Sequence, residues 1–175
     1  AIGAGSVALG HFALAEGAGA HASGRDAIAI GEGAASVGHA AQATGRGTTA
    51  FGSLSAADGE GALAFGGAAF ASGARASAIG FDSVAFASDS VALGAGSIAD
   101  QAMTVSIGTV GAERRMVHVA DGVDDTDAAN YGQVRRLAEQ VQAVGDAGEF
   151  AVRFDDASRT SITLGNGTSL RGLAA

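Results

Sequence analysis

Ser90-Val91-Ala92-Leu93-Gly94 repeats, residue for residue, the stretch Ser6-Val7-Ala8-Leu9-Gly10, and Ala62-Leu63-Ala64-Phe65-Gly66 has the same shape between them. Outward from these, Gly stands at 3, 10, 17, 24, 31, 38, 45, 52, 59, 66, 73, 80, 94 and 108, with Ala87 and Gln101 in the two remaining places: fourteen of sixteen in strict seven-residue register. With this Gly written last in each unit, the third place is always Ala, Ser or Thr and the fifth always Ala or Ser. A heptad with Gly at a fixed place and β-branched or aromatic neighbours is a poor helix. As a strand it makes sense. Places three, five and seven, all tiny, share one face of an extended segment, and places four and six share the other. The tiny face fits only a narrow interior between two closely packed backbones. A strand of about five residues and a two-residue turn, stacked repeatedly, gives a β-solenoid with two heptads per coil. The fifteen units from Ala4 to Gly108 make seven and a half coils, a rod of roughly 35 Å at about 4.8 Å per coil.

Odd and even units then form different faces. In the sixth place the odd set reads Leu9, Val37, Phe51, Phe65, Ile79, Leu93 and Ile107, whereas Glu16, Thr44, Asp58, Ser72 and Asp100 recur in the even set. The interior is already full of Ala and Gly, so the apolar odd face has to be covered from outside, and copies of the same chain are its natural cover. That makes Leu9, Val37, Phe51, Phe65, Ile79, Leu93 and Ile107 the expected self-association residues. His21 and Ser23 break the pattern on the odd face. Ile28, Ile30, Val84 and Phe86 break it on the even face, where they mark a kink or an adhesive outer patch.

Composition excludes several classes. Of the 175 residues 29 are Gly, with no Pro, which removes collagen. A hydrophobic fraction of 47% argues against disorder, but most of it is Ala, and 5% aromatics leave little bulk for an ordinary core. The net charge of -8, with no Lys, excludes a nucleic-acid partner. The absence of Cys removes disulfides and thiol chemistry. No run approaches the roughly 18 apolar residues of a membrane span, so any membrane anchor is expected outside this sequence.

The candidates for chemistry reduce to structure. His11 and His39 share a place in the heptad but stand two coils apart, roughly 10 Å, too far to share one ion, so no metal is expected. The Gly-x-Gly pairs beginning at 3, 17, 31, 45, 59 and 94 belong to the repeat, and no Lys is present for a phosphate loop. There is no Gly-x-Ser-x-Gly elbow, and the rod's carboxylates are scattered over turns, with Asp82 and Asp89 on different faces. No catalytic residue, cofactor or enzymatic activity is expected.

Ser90 to Ser97, preceded by Asp82-Ser83-Val84-Ala85-Phe86, resembles the head repeat of trimeric autotransporter adhesins of the YadA-like kind. Ser106-Ile107-Gly108, then Glu113-Arg114-Arg115-Met116-Val117-His118-Val119-Ala120-Asp121-Gly122, then Asp125 to Val134, is similar to the family's neck, which joins three β-rolls to a coiled-coil stalk. Ala129, Tyr131 and Val134 depart mildly from the family pattern, which prefers aliphatic residues at the first two and Leu at the third. The resemblance implies a mainly β fold: a left-handed parallel β-roll forming a homotrimer, displayed on the outer membrane of a Gram-negative bacterium through a C-terminal domain not present here. It implies non-enzymatic attachment to host extracellular matrix proteins or cell-surface receptors. Handedness and stoichiometry come only from the family.

The domain reading is β-roll head over 1–108, neck over 109–130, a short coiled-coil helix over 131–145, and a β stalk connector over 146–175 that runs into a second neck. In the neck, Arg114 and Arg115 are expected to form interchain ion pairs with Asp121, Asp124, Asp125 and Asp127. Val117 and Val119 alternate as a short strand would, Gly122 falls within the same motif, and Asp127 and Asn130 suit a helix start. Val134, Leu137, Val141 and Val144 follow at three-four-three spacing, and Gly145 and Gly148 are expected to stop the helix. Val152, Phe154, Ile162 and Leu164 suggest a hairpin about Asp155-Asp156. Two other functions compete: an ice-binding solenoid, which needs a regular Thr ladder where this chain has Thr48 and Thr49 but no ladder, and a structural fibre of a phage tail or surface layer.

Overall fold

The computed structural model describes residues 1–147, 153–154, 161–163 and 169–171. It divides into two units, 1–115 and 116–175. The first is a parallel solenoid. Odd units contribute the strands Val7–Leu9, His21–Ser23, Ala35–Val37, Thr49–Phe51, Leu63–Phe65, Ser77–Ile79, Val91–Leu93 and Val105–Ser106 to one sheet in chain order. Even units contribute Leu14–Ala15, Ile28–Ala29, Gln42–Ala43, Ala56–Ala57, Phe70–Ala71, Val84–Ala85 and Ile98–Ala99 to the other. Each residue pairs with the one fourteen positions on, as Val7 with His21 and Phe70 with Val84. The register therefore follows directly from two heptads per coil. Turns are laddered too: Gly19 N–H donates to the Ala4 carbonyl at 2.9 Å, just as Val7 N–H in a strand donates to the Ala20 carbonyl at 2.9 Å.

Every buried apolar side chain among the described residues is an alanine, from Ala15 to Ala99. The third-place hydroxyls need no partner across the interior, because most bond the carbonyl three residues back: Ser55 Oγ donates to Gly52 O at 2.9 Å and Thr48 Oγ1 to Gly45 O at 2.7 Å. Ser36 stands at the fifth place instead, and its hydroxyl is buried without a partner.

The heptad Gly has two separate causes. At the end of odd units the backbone is left-handed and crowded together: Gly66 has φ +146°, and a Cβ there would lie 2.3 Å from the Gly80 carbonyl oxygen. At the end of even units only the crowding remains, as at Gly59, where a Cβ would lie 2.1 Å from the Gly73 oxygen. Both lapses, Ala87 and Gln101, fall at even-unit ends, where no positive φ is demanded, and no even-sheet strand follows Gln101. The second turn place is left-handed as well, and it is held by non-Gly residues at nine turns, among them Phe12, Leu54 and Met103, with φ between 53° and 61°.

In the second unit the helix α1 covers Tyr131–Ala147 and passes through Gly145. Gly in a helix interior costs about 1 kcal/mol relative to Ala, which weakens but does not forbid continuation. Arg153–Phe154, Ser161–Thr163 and Ser169–Arg171 form an antiparallel sheet in which Phe154 pairs with Ile162 and Ile162 with Leu170. Leu170 is thus in a strand. The Asp155-Asp156 turn, Val152, Leu164, Gly148 and the end of the expected second neck, 172–175, lie outside the described residues. Among the described residues no helix is long and apolar enough to cross a membrane.

Candidate functional site

The two faces of the roll are chemically distinct. The odd sheet's sixteen outward places, the fourth and sixth of each odd unit, contain no Asp, Glu or Arg. The even sheet's fourteen contain Glu16, Asp58 and Asp100 and no Arg. The expected self-association residues line up along the odd face because the register stacks them: Val37 beside Phe51, Phe51 beside Phe65, Phe65 beside Ile79 and Ile79 beside Leu93. The Phe51 and Phe65 rings stack with centroids 5.0 Å apart and planes 11° apart. In one chain these side chains lie open, with Leu9 at 56%, Phe51 at 46%, Phe65 at 49% and Leu93 at 46% exposure, and Val37, Ile79 and Ile107 half-buried. His21 and Ser23 pair with Val7 and Leu9 on this face, so the break in the pattern is confined to one coil. Thr48 points inward and is buried, which leaves no outward Thr ladder.

The turn edges carry exposed charge stacked from coil to coil. Arg46 lies 3.4 Å from Glu32 and 4.0 Å from Glu60, and Arg75 grips Asp89 with two bonds of 2.6 Å. The Arg75 guanidinium holds the Asp89 carboxyl below its ordinary range. Solvent weakens such pairs. At the other edge Arg25 lies 2.6 Å from His39 Nε2 and 3.3 Å from Asp26.

Within the first unit Arg114 is engaged by the last coil. Its guanidinium closes the end of the roll, donating to Ser97 Oγ at 2.9 Å, to Ile107 O at 2.8 Å and to Ala95 O. The physical reason is local: the last coil has no successor, so its carbonyls lack ladder donors, and a forked five-donor side chain satisfies several at once. Arg115 is exposed and makes no ion pair among the described residues. Beside Arg114 is a cleft of about 450 Å³, lined by Ile98, Asp100, Val105, Ile107, Val110 and Glu113 among others.

In the second unit the expected strand at Val117 and Val119 is irregular chain, because no strand among the described residues ladders it. What organises the neck is Asn130 with Gln133, a residue the sequence reading passed over. Asn130 Oδ1 accepts from Gln133 N–H at 3.1 Å, and Gln133 Oε1 accepts from Asn130 N–H at 3.1 Å, a reciprocal cap for α1. Gln133 also grips both polar backbone groups of Gly122, at 2.9 and 3.0 Å. Asn130 Nδ2 donates to Val119 O at 3.0 Å and to Asp121 Oδ1 at 2.8 Å, and Arg136 reaches Asp121 at 2.5 Å. A Cβ on Gly122 would lie 3.1 Å from Ala128 O and from Asp127 Cβ, a tight fit that a larger residue could enter only if those atoms shift. Asp127 accepts from the N–H groups of Val123 and Asp124, and those bonds hold its carboxyl below the ordinary range. The Asn-x-x-Gln spacing was the available signal. On α1, Val134, Leu137 and Val141 stand 53%, 59% and 64% exposed in a line, and the side chain of Val144 lies outside the described residues.

Comparison with known proteins agrees with this geometry. No curated protein matches the chain. Among solved structures, the collagen-binding domain of the Yersinia adhesin YadA is 30% identical, with a TM-score of 0.70, over 77% of this chain and 75% of that one. The model of the YadA head domain repeat matches residues 1–20, 15–34, 29–55, 43–69, 57–83 and 71–97, a continuous run over more than half of the chain. By its glycine register, its alanine interior and that run of matched repeats, this chain belongs to the YadA head family.

Proposed function

We propose that this chain is the non-enzymatic head of a trimeric cell-surface adhesin, which attaches a Gram-negative bacterium to host extracellular matrix proteins, collagen among them, or to cell-surface receptors. The observation that carries the reading is the odd face: sixteen outward places without one Asp, Glu or Arg, and a column of large apolar side chains left open in the single chain. Packing that face between three copies buries it. Three identical outer surfaces on one rod then turn weak single contacts into firm attachment. In this reading the fibre is anchored to the outer membrane through a C-terminal domain.

In this reading Val134, Leu137, Val141 and Val144 form a trimeric coiled coil, and Met116 to Ala120 packs on a neighbouring chain. A cavity of about 390 Å³ lined by Met116, Val119, Ala128 and Tyr131 supports the second contact, since it offers apolar walls with nothing from the described residues inside. Arg115, with no ion pair among the described residues, reaches the neck aspartates of a neighbour.

The test is sedimentation together with adhesion. The purified protein should be a trimer that binds immobilised matrix protein. Phe65→Asp with Ile79→Asp would place six charges at the trimer centre and should give monomer or aggregate. A trimer that survives this double change would show that the odd face is not the interface, and a trimer that binds no matrix protein or receptor would defeat the adhesin reading.

A further inference from the structure

Phe86 is the residue the repeat explains least. Its column, the sixth place of even units, is otherwise mostly polar, with Glu16, Thr44, Asp58, Ser72 and Asp100. Its ring stands 53% exposed and meets the Phe70 ring edge-on, with centroids 6.1 Å apart. Phe70 pairs in register with Val84, and Val84 with Ile98, so these four side chains make one continuous apolar patch over three successive coils. An apolar patch on a polar surface marks an interaction site.

Charge separates this patch from the odd face. Asp100 follows Phe86 in the same column one coil on, since Val84 pairs with Ile98. Ile98 and Asp100 also border the cleft at the end of the roll, whose other carboxylate is Glu113. Arg114 lines the same cleft, but its guanidinium is tied to Ser97 and Ile107 and makes no ion pair among the described residues. The even face has three acids and no base among its outward places, so a second copy of it would bring like charges together. A partner with cations is complementary.

We propose that Phe70, Val84, Phe86 and Ile98, with Asp100 and Glu113 at the rim, form a docking surface for a segment of a partner protein that carries apolar side chains beside Arg or Lys. The proposal rests on the adhesin reading and assigns the partner contact to the even sheet, away from the interface between copies.

The repeat itself supplies conservative variants. Ser72 and Gln42 occupy the columns of Phe86 and Ile98, so Phe86→Ser with Ile98→Gln keeps residue types the roll already accepts there. The probe is an array of immobilised short peptides from extracellular-matrix proteins, in which cationic and apolar content vary independently, read with the whole chain. The unsubstituted trimer should select peptides rich in both. The double variant should remain trimeric by sedimentation and lose binding by about tenfold or more, as for loss of an aromatic anchor. Asp100→Asn should bind more weakly and with less salt dependence. The proposal is overturned if the double variant binds the same peptides equally well, if the selected peptides show no such enrichment, or if the variant dissociates, which would put the patch inside the assembly. Matrix binding that survives in the double variant defeats this proposal alone, whereas an unsubstituted trimer that binds neither peptides nor matrix proteins defeats the adhesin reading too.

Discussion

Asn130 and Gln133 exchange two hydrogen bonds of 3.1 Å, each side-chain oxygen accepting the other residue's backbone N–H, and Gln133 then reaches out to clamp Gly122. One helix cap thus also fixes the chain that leads into it. Gln133→Ala removes the bonds to Asn130 and Gly122 together and should destabilise the neck and first helical turn by about 1–2 kcal/mol. Amide exchange at Gly122 and Asn130 should quicken while exchange in the roll strands stays unchanged. Unaltered exchange at Gly122 would show that the clamp does not hold the neck in solution.

Asp121 gives the neck a pH dependence. The Asn130 amide, and then Arg136, hold its carboxyl below the ordinary value of 3.8. A depressed folded-state pKa means that the contribution to stability is present above the unfolded value and disappears as pH falls through the folded one. The neck should therefore loosen only in strongly acidic solution, below about the 3.8 reference. Asn130→Ala should move the Asp121 titration, followed by carboxyl NMR, up towards that reference. A titration indifferent to Asn130 would contradict the assignment.

Ser36 and Ser55 should respond oppositely to the same change. Ser36 Oγ is buried with no partner, whereas Ser55 Oγ donates to Gly52 at 2.9 Å. Ser36→Ala should raise stability by about 1 kcal/mol, since an unsatisfied buried hydroxyl is removed. Ser55→Ala should lower it by about 0.5–1 kcal/mol. Thermal melts of the two variants against the parent decide this, and equal shifts of the same sign would refute it.

Ala64 has no exposed surface and stands in the alanine interior. Ala64→Leu adds three carbons where neighbouring coils leave room for a methyl group, and it should cost at least about 1–3 kcal/mol. A melting temperature equal to the parent's would require a wider interior than alanine alone can fill.

Phe12 and Leu54 occupy left-handed turn places, with φ of 58° and 61°. Replacing Leu54 by Gly should relieve roughly 1 kcal/mol of backbone strain, at the expense of whatever the side chain does at that edge. A folded variant with unchanged or lowered stability to denaturant would show that the Leu54 side chain offsets its strain.

The heptad alone determined the solenoid, its two-heptad coil and the inward direction of the Ala at the third and fifth places, because a strand period of two imposed on a repeat of seven leaves a single face small enough for the interior. It also determined which large side chains share the odd face, since stacking by fourteen residues is arithmetic. It did not reveal why the glycines differ. Gly66 needs its left-handed φ and Gly59 only its clearance, and that distinction arises from how successive turns close on one another. Nor did it show that Arg114 bonds the unladdered end of the last coil within its own chain. Phe70 and Phe86, sixteen residues apart with different places in the heptad, become one patch only when two strands of the even sheet lie side by side. Periodicity is a local constraint and is written along the chain. Contacts at ends and across columns depend on which backbone groups remain unpaired and which rings happen to meet, and only the folded coil decides those.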